Sequence, residues 1–388
     1  LAALHGRAFR IPCLANIAAP TVIAWRDAIA HAVAQLHEDN AWPFAQTGKR
    51  VSFGLVRIAN IRPAVETARF LADRFPDAYV ACYHAQDFTI QRFLKERRLD
   101  RLLIRKNGNG HLETDADIRE RVSRIDSPEV KFIVVATPVE EIGRDHDFDW
   151  AVIEPSSTQS IVQTAGRVNR HRLLPRTAPN IAILQVNHRK IRGQKTVFTR
   201  PGLETDAQRY NDPRQGRDPH GHDLKHLIDW NQLPVLDAGL RFRNHPFARL
   251  DDENLTAMLE APLKILCMEA RPRDWMVEAT YADYPLRDRD AVQQTWRFNY
   301  EGDTFEILAP TATGDQFIPR PDLVAEKRGI PANAWLCWSR EELAEQAAIA
   351  GIALKDAFHF TISTYRFAEQ EFEWDEAFGA SRPLDHAE

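Results

Sequence analysis

The 388-residue sequence has few cysteines and no long apolar run. Its four cysteines are far apart and form no Cys-x-x-Cys pair, which argues against a disulfide scaffold and against a thiolate zinc site. No stretch approaches the roughly 18 consecutive apolar residues of a membrane span, and the N-terminal residues lack the layout of a secretory signal. We therefore expect a soluble, cytoplasmic protein with no membrane partner and no metal site.

Basic and acidic residues are distributed unevenly along the chain. Residues 1–250 contain 37 Lys and Arg against 28 Asp and Glu, a net charge of +9, whereas residues 251–388 contain 13 against 27, a net charge of −14. A basic surface favours polyanions such as nucleic acid, because Lys and Arg release counterions from phosphates. The two parts are expected to face different partners, although a modest positive excess is also typical of an ordinary solvated surface.

Five short apolar runs alternate with helix-like segments in the first half of the chain. The runs are VSFGLVRI at 51–58, YVACY at 79–83, FIVVA at 132–136, AVIE at 151–154 and IAILQV at 181–186. Strands that are apolar throughout and are joined by helices are typical of a mostly parallel sheet covered on both faces. The sequence therefore predicts a doubly wound α/β domain over 48–190, preceded by an amphipathic helix at 21–40.

The string QTAGRVNRHR carries the strongest chemical signal. Its Gln163, Arg167 and Arg170 stand at positions i, i+4 and i+7, so a helix would place them on one stripe. Gly166 would let this helix approach a neighbouring surface closely. Fixed guanidinium groups suit a phosphate chain that develops negative charge. A solvated amphipathic helix is the alternative, and spacing alone does not separate the two.

The string FIVVATPVEEIGRDHDFDWAVIEPSS is expected to form a strand, a polar loop and a second strand. Thr137 follows the carboxyl end of the first strand, where open α/β sheets bind ligands, and Gly143 permits a tight turn. Three alternating acids, Asp145, Asp147 and Asp149, imitate a calcium loop. That motif fails, because Trp150 and Ser156 replace the required Gly and Glu. The acids are otherwise expected to face solvent.

These strings carry a family resemblance. ATPVEEIGRDHDFDWAVIEPSS and QTAGRVNRHR resemble motifs V and VI of superfamily 2 helicases, and SFGLVRIANI and CYHAQ resemble the start of the second RecA-like domain. The combination is similar to the CRISPR-associated helicase-nuclease of type I-F systems. The resemblance is dense over 48–190 and thinner afterwards, where FRNHPFARLDDENL and QQTWRFNY resemble the accessory C-terminal region of that family.

The resemblance implies a domain order and an activity. It implies a helical lead-in from a preceding helicase domain over 1–47, a RecA-like helicase domain 2 over 48–190, an irregular linker over 191–250 and an acidic, smaller mixed α+β accessory domain over 251–388. The activity implied is ATP-dependent unwinding and degradation of invading DNA. The implied partners are single-stranded DNA, the Cascade guide-RNA surveillance complex, the preceding helicase and HD nuclease domains, and phage anti-CRISPR inhibitors.

The resemblance also implies roles for single residues. Arg167 and Arg170 would be arginine fingers that reach the ATP phosphates, and Gln163 would orient them. Gly143 and Asp145 would lie at the nucleotide. The nucleic-acid contacts implied along the single-strand path are Arg57, Asn60, Tyr83, His84 and Thr137.

ATP and Mg require a Gly-rich phosphate loop and a magnesium-binding acid, and the sequence shows neither. The string PFAQTGKR has Pro43 and Arg50 where a phosphate loop needs Gly and Ser or Thr. We therefore expect ATP and Mg to be held mainly by an upstream domain. Because the sequence also begins at Leu1 in a helix-like pattern, it is expected to be part of a longer polypeptide and to be inactive by itself.

Two further possibilities stay open on the sequence. The histidines of HGHDLKHLID, His220, His222 and His226, approach a zinc arrangement, but solvated histidines are expected because Asp replaces the Glu of that motif. The function could also be that of another superfamily 2 translocase, such as an RNA helicase or a restriction motor, or of a non-catalytic nucleic-acid-binding scaffold.

The acidic part is expected to form a separate lobe that covers the DNA path.

Overall fold

A computed structural model describes residues 8–11, 21–141, 143–175, 178–193, 224, 235–236, 293–299, 304–321, 324–363 and 371–381. Within these ranges no helix has the length and apolar character needed to cross a membrane. Most of the expected linker lies outside the described residues, as do His220, His222 and His226.

The larger sheet has eight strands and is parallel through its centre. Its strands are β1 (Ala8–Ile11), β2 (Trp42–Pro43), β3 (Arg50–Arg57), β4 (Ala78–Tyr83), β5 (Glu129–Ala136), β6 (Trp150–Ile153), β7 (Ile181–Ile183) and β8 (Val235–Leu236). The spatial order is β4-β5-β3-β6-β7-β1-β8, with β2 paired to β3. Strands β2 and β8 pair antiparallel, and the other pairs are parallel. The five predicted strands are confirmed.

Helices cover both faces of this sheet. They are α1 (Val22–Asn40), α2 (Ile61–Arg74), α3 (Thr89–Leu103), α4 (Gly110–Thr114), α5 (Ala116–Arg124), α6 (Thr158–Ala165) and α7 (His188–Ile191). Apolar residues of α1 and α2 share one core cluster with the sheet, and those of α3, α5 and α6 share the cluster on the opposite face. The doubly wound α/β prediction is therefore confirmed. Helix α1, which was expected to lead in from another domain, packs on this sheet. We call the described residues between 21 and 193 the α/β region.

The centre of the sheet depends on a glycine. Gly54 lies in β3 directly beneath the indole of Trp150, and a Cβ at this position would lie 2.1 Å from the ring. The indole is fully buried, and its Nε1 donates to Ser52 Oγ at 2.9 Å. The absence of a side chain at position 54 therefore makes room for the largest buried ring of the sheet.

Helix α6 is shorter than the sequence predicts. A Ser157–Ser160 capping box begins it, and it ends at Gly166, whose φ is −67°. Asn169 then adopts a φ of +50°, a left-handed conformation that no helix continues through. The predicted stripe of Gln163, Arg167 and Arg170 on one helix is therefore wrong beyond Ala165, and both arginines lie on the loop that follows.

The described residues between 293 and 381, which we call the C-terminal region, form two small sheets. Their elements are β9 (Gln293–Asn299), β10 (Thr304–Thr311), β11 (Gly314–Pro319), β12 (Val324–Lys327), α8 (Arg340–Ile349), α9 (Leu354–Ala357), β13 (His359–Ser363), β14 (Glu371–Asp375) and β15 (Gly379–Ser381). One sheet is antiparallel in the order β11-β10-β9-β13, and the other has the order β12-β14-β15. The predicted mixed α+β character is confirmed.

The C-terminal region completes the core of the α/β region at the β4 edge. Trp335 is 1% exposed, and its ring lies 4.9 Å from that of Phe132 on β5 and 5.9 Å from that of Phe53 on β3. Its backbone N–H donates to Val80 O at 2.8 Å, and Val80 N–H donates to Asn333 O at 3.0 Å. Residues 333–335 thus pair with the outer strand of the larger sheet.

A second junction lies between α3 and the turn that joins β14 to β15. The Lys95 ammonium is fully buried and donates to Asp87 Oδ1 at 2.7 Å and to Ala377 O at 2.8 Å. The imidazole of His84 hydrogen bonds Phe378 O at 2.6 Å. A Cβ at Gly379, whose φ is +73°, would lie 2.8 Å from the His84 ring. The C-terminal region is therefore joined to the α/β region at two places.

Candidate functional site

Two adjacent segments build the candidate site. We call residues 143–149 the aspartate segment and residues 166–172 the arginine loop. Phe148 N–H donates to Arg167 O at 2.8 Å, and Asn169 N–H donates to Phe148 O at 2.9 Å, so the two segments pair over one short bridge. The side chain of Asn169 exchanges hydrogen bonds with the backbone of Leu174 at 2.8 and 3.0 Å. The left-handed conformation of Asn169 is therefore stabilised by a backbone hydrogen bond to Phe148 and by side-chain hydrogen bonds to Leu174.

Two of the alternating acids fix the arginine loop instead of facing solvent. Asp147 and Asp149 are fully buried, and Arg172 donates to Asp147 Oδ2 at 2.8 Å and to Asp149 Oδ1 at 2.6 Å. Asp147 also accepts the backbone N–H of Arg170 at 3.0 Å. The expectation of solvent-facing acids is wrong for these two, because their ion pairs with Arg172 offset the cost of burial.

Arg105 extends this buried network to the end of α3. Its guanidinium is fully buried, lies 3.1 Å from Asp149, and donates to Asp147 O at 3.0 Å and to Asn109 Oδ1 at 3.0 and 2.7 Å. Burial lowers the pKa of Arg105 to about 10. The residue remains cationic at neutral pH and ties the turn after α3 to the aspartate segment.

The third alternating acid, Asp145, is partly exposed and contacts three basic side chains. Asp145 accepts from Arg170 Nε at 2.8 Å and from His171 Nε2 at 2.9 Å, and Lys106 Nζ lies 3.2 Å from its other oxygen. The hydrogen bond from His171, followed by those from Arg170 and Lys106, holds the pKa of Asp145 well below its usual range. The structure thus brings the predicted Asp145 and Arg170 together.

The two predicted arginine fingers differ in exposure. The Arg170 side chain is 38% exposed, whereas Arg167 is buried and donates from Nη2 to Glu141 O at 2.6 Å. Arg167 Nε is buried without a hydrogen-bond partner among the residues that the structure describes. Burial, and then the nearby charge of Arg170, lower the pKa of Arg167. Of these two arginines, only Arg170 exposes its guanidinium to solvent.

Gln163 and Gly143 are exposed, as Arg170 is. Gln163 is exposed on α6, one turn before Gly166, whose carbonyl accepts from Arg170 Nη1 at 3.3 Å. Gly143 is exposed with a φ of +73°, so the turn predicted at this residue is confirmed. No side-chain contact between Gln163 and Arg170 is present in the structure.

The residues predicted to contact nucleic acid gather at the carboxyl edge of the sheet. Arg57, at the end of β3, is level with Ala136 at the end of β5, and Tyr83 at the end of β4 is level with the same residue. Arg57 is buried, and its guanidinium donates to Glu141 at 2.6 Å, to Ser156 Oγ at 2.7 Å and to a backbone carbonyl. It therefore holds three loops together at this edge.

Tyr83, His84 and Thr137 are buried at this edge, and Asn60 is half-buried. The Tyr83 hydroxyl donates to Glu96 at 2.6 Å and accepts from Arg144 at 2.7 Å. Burial raises the pKa of Tyr83 and lowers that of His84. Asn60 Oδ1 accepts from an arginine of α7 at 3.2 Å. In this structure the Tyr83 ring is not open for stacking on a base.

One buried histidine, His146, holds the middle of the aspartate segment. His146 Nε2 hydrogen bonds Asp100 Oδ1 at 2.9 Å, and its Nδ1 hydrogen bonds Glu140. Burial opposes protonation of His146, but the charge and hydrogen bond of Glu140 outweigh it and raise the pKa.

Across the described ranges no cluster of three or more His, Cys, Asp or Glu side chains has the geometry of a metal site.

Sequence reasoning missed the residues that support the site. Arg105, Arg172 and Lys106 were not singled out, although each is needed for the charge balance described above. The available signal was the match between acids at 145, 147 and 149 and arginines at 170 and 172. Equal spacing of opposite charges favours two paired segments.

Comparison with known proteins identifies the segment that carries the site. Residues 50–173 match the family model described as CRISPR-associated nuclease/helicase Cas3, C-terminal. Over 214 residues the chain is 38% identical to the CRISPR-associated nuclease/helicase Cas3 subtype I-F/YPEST of Pseudomonas aeruginosa. Over 204 residues it is 37% identical to the protein of the same name from Pectobacterium atrosepticum. The predicted resemblance to the type I-F family is confirmed, and residues 50–173 are the part of the chain that resembles the C-terminal part of Cas3.

The chain corresponds to a small share of these relatives. The two matches cover 53% and 50% of this chain but 19% and 18% of the relatives. A crystal structure of T. fusca Cas3 aligns over 98% of this chain and 41% of that chain, with 12% sequence identity and a TM-score of 0.43. The chain thus spans about a fifth of the length of the curated relatives that it matches.

Proposed function

We propose that this chain supplies one wall of the ATP site in a CRISPR-associated, ATP-dependent DNA helicase-nuclease of type I-F. Arg170 would contact the ATP phosphates from the surface formed by the arginine loop, Gly143 and Asp145. The observation that carries the proposal is the partly exposed Arg170 guanidinium on a loop fixed by buried ion pairs. A preorganised cation of this kind stabilises charge on a phosphoryl group in transit at no reorganisation cost.

Arg167 would have a different task in this proposal. It is buried and bonded to the Glu141 carbonyl, so it would hold the arginine loop against the loop after β5. Gln163 would contribute from the exposed side of α6. ATP and Mg would be bound mainly by a separate domain that carries the phosphate loop, because this sequence contains none.

The carboxyl edge is the proposed contact with single-stranded DNA. Thr137 and Asn60 lie at this edge, where open parallel sheets bind ligands. Arg57, Tyr83 and His84 would support the edge from inside, since their side chains are buried. The basic net charge of residues 1–250 favours a polyanion, and the guide-RNA surveillance complex is the proposed assembly partner of the whole enzyme.

A substitution at Arg170 tests the proposal in the natural protein that contains this sequence. Arg170→Ala should lower DNA-dependent ATP hydrolysis by about 10³-fold, the scale of an arginine finger, with little change in the thermal midpoint. The matched control is Arg124→Ala, which removes an exposed, ion-paired arginine of α5 and should leave hydrolysis unchanged.

Two results would contradict the proposal. Normal hydrolysis by the Arg170→Ala enzyme would mean that the arginine loop is only a solvated surface and would favour the scaffold function. Turnover of ATP by residues 1–388 alone would show that the phosphate loop is not required from elsewhere.

A further inference from the structure

Lys106 lies beside Arg170 and so far has been described only as an ion-pair partner of Asp145. It occupies the turn that follows α3, and its side chain is 64% exposed. Its Nζ lies 3.2 Å from Asp145 Oδ2, while Arg170 Nε donates to Asp145 Oδ1 at 2.8 Å. The two oxygens of one carboxylate thus hold a lysine and an arginine on neighbouring positions of one surface.

The backbone at Lys106 is held by its buried neighbour. The Arg105 guanidinium binds Asn109 and the aspartate segment, and the Arg105 N–H donates to His171 Nδ1 at 3.1 Å. Arg105 is therefore bonded to the turn, to the aspartate segment and to the arginine loop together. Lys106 extends from a fixed turn next to the loop that carries Arg170.

Charge at this surface is unbalanced. One carboxylate, Asp145, lies between two basic side chains, Lys106 and Arg170. Ion pairs that are open to solvent contribute little to stability, so either cation can exchange its carboxylate partner for another anion at small cost. Arginine binds phosphate oxygens as a fork and lysine as a point charge, and the two together suit a group with several phosphate oxygens.

We propose that Lys106 is a second phosphate-binding residue of this site, adjacent to Arg170, and that Asp145 is the resting partner of both. The inference rests on the proposed function, since it assumes that this surface faces a phosphate. Phosphate oxygens are carried by ATP and also by a DNA strand, and the experiment separates these two sources.

The test compares Lys106→Met with Lys106→Arg in the natural protein. Lys106→Met should raise the KM for ATP about tenfold, the scale of one charge-assisted hydrogen bond, and Lys106→Arg should restore most of the loss. The matched control is Arg101→Met, which removes a 72% exposed cation paired with Asp115 at the end of the same helix. The control should leave KM unchanged.

The second arm measures the Kd for single-stranded DNA. A tenfold weaker DNA affinity with an unchanged KM for ATP would assign the phosphate to the strand and would still support Lys106 as its ligand. An unchanged KM and an unchanged Kd would overturn the proposal. If Arg170→Ala abolishes hydrolysis while Lys106→Met has no effect, only the role of Lys106 fails; if both variants are active, the proposed function fails as well.

Discussion

The α/β region and the C-terminal region differ in how their strands are buried. Strands β3, β4 and β5 are covered on both faces and are buried almost throughout, whereas β11 is exposed along nearly its whole length. The two regions nevertheless meet in one core, where Trp335 packs on Phe53 and Phe132. A difference in strand environment therefore does not prevent the two regions from sharing a core.

The largest expected effect that tests this shared core is at Trp335. Trp335→Ala should lower the free energy of unfolding of the chain by about 3–5 kcal/mol, the usual cost of removing a buried aromatic ring, measured by urea denaturation with far-UV circular dichroism. The control is Ile330→Ala, since Ile330 is exposed in the same segment and its loss should change little. An unaltered transition in the Trp335 variant would mean that Trp335 does not couple the C-terminal region to the α/β region.

The second junction should show a somewhat smaller effect. Lys95→Met should cost about 3 kcal/mol in thermal or chemical denaturation, because it leaves the fully buried Asp87 without its ammonium partner. The double variant Lys95→Met, Asp87→Leu should recover part of this loss, as a buried pair is often replaced by apolar residues at little cost. Equal destabilisation by the single and double variants would argue that the lost contact with Ala377 is what matters.

The smallest expected effect per residue is a loss of stability at acidic pH, and it comes from two buried histidines of the α/β region. Burial lowers the pKa of His37 and of His188 to about 4. Each residue stays neutral in the folded chain while the unfolded chain is protonated below the ordinary pKa of about 6.5. The stability that they contribute is present above that value and is lost as the pH falls toward 4.

At pH 5 the expected loss is about 2 kcal/mol for each of these histidines, from 1.36 kcal/mol per pKa unit. Denaturation curves of the chain at pH 7 and pH 5 measure the loss, and His37→Gln and His188→Gln should each reduce the dependence on pH. If neither variant changes the slope between these two pH values, the acid sensitivity has another origin.

The parts of the fold that the sequence predicts are those with a local pattern. The continuous apolar runs at 51–58 and 132–136 identify β3 and β5, because a strand buried on both faces has apolar residues at every position. The end of α6 was misplaced, since the spacing of Gln163, Arg167 and Arg170 continues a helical pattern that Asn169 breaks with a positive φ. Spacing carries no information on that backbone angle.

The parts that could not be predicted depend on contacts between distant segments. Asp147 and Asp149 face Arg172 and Arg105. The alternating charges favour pairing of the two segments, but nothing in the local sequence shows that the ion pairs are buried. Trp335 likewise has no sequence signal for its place beside Phe132. The site residues Asp145 and Arg170 were anticipated through a family resemblance, and their direct contact became visible only in the fold.

The glycine at the centre of β3 has a consequence for how sequences of this kind can diverge. Gly54 and Trp150 share one volume, because the indole fills the space that any other residue at 54 would need. Neither position can drift alone: a larger residue at 54 demands a smaller one at 150, and a smaller ring at 150 leaves a void that glycine cannot fill. Among related chains the residues at positions 54 and 150 should therefore be kept together or exchanged together. This covariation would help to align β3 and β6 in distantly related sequences.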